Sequence, residues 1–117
     1  MPVISFASPK GGAGKTTSAI VLATTLAQRV SVELIDADPA ARTIAWAKRG
    51  PVPEKLTVTQ SAGEKSIQDE IETAAGRAAF VIIDLEGLAS RLNAFAMGES
   101  DLVIVPLGDE QQDADAA

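Results

Sequence analysis

A short apolar run, Val3-Ile4-Ser5-Phe6-Ala7, leads into Ser8-Pro9-Lys10-Gly11-Gly12-Ala13-Gly14-Lys15-Thr16-Thr17, and an apolar-rich segment continues to Arg29. The first run reads as a strand and the last segment as a helix. A glycine-rich turn between strand and helix lets backbone N–H groups approach an anion closely, and the helix N-terminus adds partial positive charge. Such a turn is a cradle for phosphate. In it Gly11, Gly12, Ala13 and Gly14 supply backbone donors, Lys15 reaches the outer phosphates, the Thr16 hydroxyl ligates Mg²⁺, and Thr17 meets the α-phosphate. A glycine turn without a ligand is the plainer alternative, but strand, turn, Lys-Thr pair and helix occur here in the required order.

The rest of the chain repeats the strand–helix alternation. Strands are expected at Pro2–Ala7, Val32–Asp36, Leu56–Thr59, Phe80–Asp84 and Leu102–Val105. Helices are expected at Gly14–Arg29, Ala40–Lys48, Gly63–Ala75 and Leu88–Met97, with Asp38 as N-cap and Pro39 in the first turn of the second. Ala19, Ile20, Ala23, Leu26 and Ala27 give the first helix its packing face; Ile67, Ile71 and Ala74 or Ala75 do so in the third. The unbroken apolar runs ending at Asp84 and at Val105 suit parallel strands buried on both faces. No hairpin signal or repeat interrupts the order. The expected fold is therefore α/β, a parallel sheet with flanking helices and right-handed crossovers. Residues 108–117 read as a loop and the first turns of a helix with no strand after it. This leads us to expect one nucleotide-binding domain over 1–117, the N-terminal part of a longer whole.

Ligands of open α/β sheets sit beyond the carboxyl ends of the strands. Asp36, Asp38 and Asp84 stand there. Asp84 closes a strongly apolar strand as a metal-holding carboxylate does. A strand-terminal aspartate can also merely cap a turn, and Asp38 can cap a helix and position water at once.

One feature departs from the strict phosphate-loop pattern: Pro9 stands where a first glycine belongs, and the sequence reads K-G-G-x-G-K-[ST] with an extra lysine, Lys10. On these residues the chain resembles the ParA/MinD family of deviant Walker A P-loop ATPases, and most closely plasmid-type ParA partition proteins. The resemblance covers nearly the whole chain and implies a P-loop NTPase fold of the SIMIBI type with ATP and Mg²⁺ as ligands. It implies that Lys10 reaches the nucleotide of a second subunit in an ATP-dependent homodimer. In Asp36-Ala37-Asp38-Pro39, similar to the family's D-x-D-P segment, it implies that Asp38 activates the attacking water and that Asp36 supports the magnesium site. Lys10, Lys15 and Asp38 are then the catalytic set, and Thr16, Asp36 and Asp84 the metal set. A loop at Asp84-Leu85-Glu86-Gly87 is expected to sense the γ-phosphate, with Glu86 a loop residue only. Asp109 to Asp113 resembles a segment of plasmid-type ParA proteins. Implied partners are a centromere-binding ParB-like adaptor and nonspecific DNA, the latter through residues outside this chain.

Composition narrows the alternatives. Aromatic residues are 3% of the 117, so aliphatic side chains and alanine must fill the core. Cysteine and histidine are absent, which removes disulfides, thiolate clusters and histidine bases. The nitrogenase iron-protein branch of the fold is thereby disfavoured. A net charge of -6 does not steer the chain as a whole toward nucleic acid. Arg42, Lys48 and Arg49 form a small basic cluster near Trp46, read as a solvated helix face with one packed tryptophan. No leader and no run of membrane-spanning length is evident, so a cytoplasmic protein without membrane contact is expected. Two other functions share the motif: a MinD-type membrane-cycling ATPase, and an ATP-dependent amidoligase or dethiobiotin-synthetase-like enzyme. A fragment that retains the loop without activity is a further reading.

Overall fold

The structure, a computed structural model, describes residues 2–8, 14–86 and 90–106. Five strands, β1 (Val3–Phe6), β2 (Val32–Ala37), β3 (Leu56–Gln60), β4 (Phe80–Leu85) and β5 (Leu102–Ile104), form one sheet in the order β3-β2-β4-β1-β5. Every pairing is parallel. Four helices link them: α1 (Lys15–Leu26), α2 (Arg42–Lys48), α3 (Ile67–Ala75) and α4 (Arg91–Gly98). Among the described residues no helix is long and apolar enough to cross a membrane.

The strand order dictates which face each helix covers. From β1 to β2 and from β2 to β3 the chain moves one way across the sheet; from β3 to β4 and from β4 to β5 it moves back. Right-handed crossovers then place α1 and α2 on one face and α3 and α4 on the other. The core follows this division. Ile4, Phe6, Val32, Leu34 and Ile82 pack with Ala19, Ala23 and Ala27 on the α1 side. Val3, Ile35, Val81 and Ile83 pack with Ile67, Ile71, Ala74 and Ala96 on the other. Alternation along each strand thus fills two cores. Adjacent β1 and β4 send their helices to opposite faces, so the sheet opens a crevice at their carboxyl ends.

Ala19 and Ala23, with the C-cap Ala27, stand four residues apart and make the buried stripe of α1. Small side chains let that helix lie close to the sheet, while Ile20, Leu22 and Leu26 close its flanks. On β2, the buried Glu33 is held by a two-point pair from Arg77, at 2.7 and 2.8 Å, which ties the end of α3 to the sheet. The guanidinium is favoured in its charged form by that hydrogen bond and by the carboxylate's charge.

Several sequence expectations need correction. The second helix begins at Arg42, not Ala40, and Asp38 is not its N-cap. Asp38 instead builds a tight turn: its Oδ1 accepts the Ala40 N–H at 2.9 Å and its carbonyl accepts the Ala41 N–H at 2.8 Å. That turn puts Ala41 in the left-handed region, φ 53° and ψ 39°, and delays the helix. Among the described residues the strand at Leu102 is an edge and not the buried strand expected. Among the described residues it pairs with β1 alone, and Leu102 is 52% exposed. The third helix also starts later than expected, at Ile67, after turns over residues 64–66. In the fourth, Ser90 accepts the Asn93 N–H as N-cap; the expected start at Leu88 lies outside the described residues.

Ala41 carries a strain that glycine would not. Relief of about 1–2 kcal/mol exceeds the entropy cost of glycine in the unfolded chain. Ala41→Gly is therefore expected to stabilise the chain by about 0.5–1 kcal/mol in urea unfolding at unchanged slope.

Candidate nucleotide site

Register brings the acidic residues together. Asp84 of β4 lies level with Phe6 of β1 on one side and with Asp36 of β2 on the other. Gly14, the last residue of the glycine-rich sequence before Lys15, has a φ of 77°, which suits glycine. Lys15 then starts α1 directly over the strand ends. Its side chain is 0% exposed.

Lys15 Nζ hydrogen-bonds to Asp84 Oδ1, and reaches Asp38 Oδ2 at 3.2 Å. Asp84 Oδ2 accepts two hydroxyls, Thr16 Oγ1 at 2.9 Å and Thr43 Oγ1 at 2.8 Å. The Asp36 carboxylate is held by the backbone: Oδ1 accepts the Asp38 N–H and Oδ2 the Ile44 N–H, each at 3.0 Å. Asp36 thus fixes the loop that carries Asp38 and the first turn of α2. Burial raises its pKa above the usual carboxylate value; those two amides oppose the rise, and the nearby charges of Asp84 and Asp38 add to it.

Of the residues singled out in sequence, Lys15, Thr16, Asp36, Asp38 and Asp84 converge on this edge, and Gly14 and Thr17 border it. Lys10, Gly11, Gly12 and Ala13 lie outside the described residues, as do Gly87 of the expected sensing loop and Asp109 to Asp113. Thr43 was missed. Its signal was thin: a lone threonine early in a helix that otherwise reads as solvated. It is fully buried and bonded to Asp84.

The donor set fits a magnesium-bound polyphosphate. Two carboxylates, Asp84 and Asp38, hold the one lysine, and Asp36 lies level with Asp84 on the next strand, an excess of two negative charges if all are ionised, which suits a divalent cation. No group of three or more acidic residues among the described ones is arranged to hold a metal alone. Magnesium does not require one, since it keeps several waters and takes one or two protein ligands plus phosphate oxygens. Thr16 donates its proton to Asp84 and keeps its lone pairs for a cation.

Beside the site, between α1 and α2, opens a cavity of about 650 Å³ lined by Gly14, Thr16, Thr17, Arg42, Trp46 and Arg49, among others. Arg42, Lys48 and Arg49 are exposed and Trp46 is half-buried against the α1-side core, as the sequence led us to expect.

The raised pKa of Asp36 has a sign that can be measured. A folded value above the unfolded one means the ionised form is disfavoured by folding, so its contribution is best at low pH and is lost as pH rises through the folded value. Without metal, wild type is expected to gain stability relative to Asp36→Asn as pH falls from about 7 toward about 4. Parallel pH profiles of the two would contradict it.

Comparison with known proteins places this geometry. The profile of the CobQ/CobB/MinD/ParA nucleotide-binding domain matches residues 4–106. The chain is 44% identical over 115 residues to Protein ParA of Rhizobium radiobacter, across 97% of this chain and 52% of the relative. It is 31% identical over 105 residues to maintenance of carboxysome distribution protein A of Gloeobacter kilaueensis, across 89% of this chain and 48% of that one. The chain spans about half the length of these curated relatives. A plasmid partition protein of Borrelia burgdorferi solved with AMPPNP is similar in fold, with a TM-score of 0.73 at 22% identity, over 98% of this chain and 66% of that one. With its phosphate-loop sequence, parallel sheet and converging Lys15, Thr16 and Asp84, the chain belongs to the CobQ/CobB/MinD/ParA nucleotide-binding domain family.

Proposed function

We propose that this chain binds ATP with Mg²⁺ and hydrolyses it as the nucleotide-binding part of a ParA-like partition ATPase. The observation that carries the reading is the buried Lys15 held between Asp84 and Asp38 at the end of a glycine-rich turn. A lysine neutralised by carboxylates at a phosphate loop could exchange them for phosphate oxygens, and Asp84 and Asp38 would then be free to face a divalent cation. The names of the curated relatives support partition or positioning over a biosynthetic ligase.

In this reading Lys15 meets the outer phosphates and stabilises the charge that spreads over them in transfer. Thr16 and Asp84 would hold a magnesium ion, with Asp36 supporting them through the loop. Bound there, magnesium would supply neutralisation of the phosphate charge. Asp38, released from Lys15, positions the attacking water on the turn that its own backbone builds. Gly11, Gly12, Ala13 and Gly14 contribute backbone donors and Thr17 a hydroxyl. Lys10 crosses to the nucleotide of a second copy. The cycle then runs through an ATP-dependent homodimer, a ParB-like adaptor that stimulates hydrolysis, and nonspecific DNA held by residues beyond this chain, in the cytoplasm and without membrane contact.

Calorimetric titration tests the first step. Mg·ATP is expected to bind, and Lys15→Ala to weaken binding by about 2–4 kcal/mol, roughly 30- to 1000-fold. Uptake indifferent to that change would remove the basis of the reading. Lys10→Ala is expected to abolish ATP-dependent dimerisation in sedimentation velocity while leaving nucleotide uptake intact. An undiminished dimer would reject the role given to Lys10.

A further inference from the structure

Both carboxylates that hold Lys15 also hold the start of α2. Asp38 grips it through the Ala40 and Ala41 amides, by its side chain and its carbonyl. Asp84 grips it through the Thr43 hydroxyl, at 2.8 Å and fully buried. Asp36 adds the Ile44 amide. Between these anchors lies Ala41 in a left-handed conformation, a strained point in the connection. α2 itself is short, and its single fully buried residue is Thr43.

We infer that Thr43 is a positioning residue that makes α2 respond to the phosphate site. The inference rests on the nucleotide-binding reading above. When phosphate oxygens draw Lys15 away, Asp84 would exchange Lys15 for the divalent cation of the reading above and keep the Thr43 hydroxyl as donor. Asp38 loses the same partner at the same moment. The charge balance at both anchors of α2 changes through one side chain, Lys15. Thr16 belongs to the phosphate loop, so Thr43 is the donor through which Asp84 acts on α2. The helix carries Arg42 and Trp46, with Arg49 just after its end, along the wall of the neighbouring cavity, so its shift reshapes the surface beside the nucleotide. A merely structural threonine would hold α2 in one place whatever Lys15 does.

Trp46 is the chain's one tryptophan and sits on α2, which makes the inference readable. Wild type is titrated with Mg·ATP while Trp46 emission is followed, and binding is measured separately by calorimetry. The expected result is a change in emission that saturates with binding. In Thr43→Val, which offers Asp84 no hydroxyl, binding persists and the emission change is lost; Thr43→Ser restores it. Full emission change in Thr43→Val, or binding to wild type with none, overturns the inference and leaves the nucleotide reading standing. Absence of binding to wild type overturns both. Should Thr43→Val fail to fold, hydrogen exchange of the α2 amides in wild type decides: protection altered by Mg·ATP is expected, and unaltered protection overturns the inference.

Discussion

The buried contact of Lys15 with Asp84 governs this structure. A lysine with no exposed surface is costly unless its charge is answered, and three aspartates at the strand ends would repel one another without it. Each side solves the other's problem. The sheet register makes the meeting unavoidable, since Asp84 lies level with Phe6, the residue from which the chain leaves for the phosphate loop. Fold and site are thus one arrangement: the crevice between β1 and β4 exists because their helices go to opposite faces, and the charges meet in that crevice.

This contact also explains why the site is connected to its surroundings. Asp84 serves Lys15, Thr16 and Thr43 together, and Asp38 serves Lys15 and the turn before α2. Hydrogen bonds in such a group cannot be changed singly. A ligand that competes for Lys15 alters the support of α2 without touching it.

Much of this was legible in the chain itself. The glycine-rich turn, the apolar strand ending at Asp84 and the D-x-D-P segment carried local signals strong enough to place Lys15, Thr16, Asp36, Asp38 and Asp84 at one sheet edge. The spacing of Ile67, Ile71 and Ala74 marked the buried side of α3 correctly. What failed depended on partners distant in sequence, or on a turn that the local residues allow as readily as a helix start. Leu102 to Ile104 has the composition of a central strand, but burial depends on neighbours, and among the described residues β1 is its sole strand partner. Asp38 and Pro39 look like a helix start, yet the carboxylate closes a turn on Ala40 instead, and the helix waits until Arg42. Thr43 gave little sign because its role needs Asp84, 41 positions away.

The most direct test of the account is a double-mutant cycle between Lys15 and Asp84, read as unfolding free energy in denaturant without nucleotide or metal. Lys15→Met and Asp84→Asn are each expected to destabilise the chain, and the pair together to cost less than their sum, with a coupling of about 2 kcal/mol or more. Costs that add to within about 0.5 kcal/mol would show that the two charges do not depend on each other, and would contradict the account at its centre.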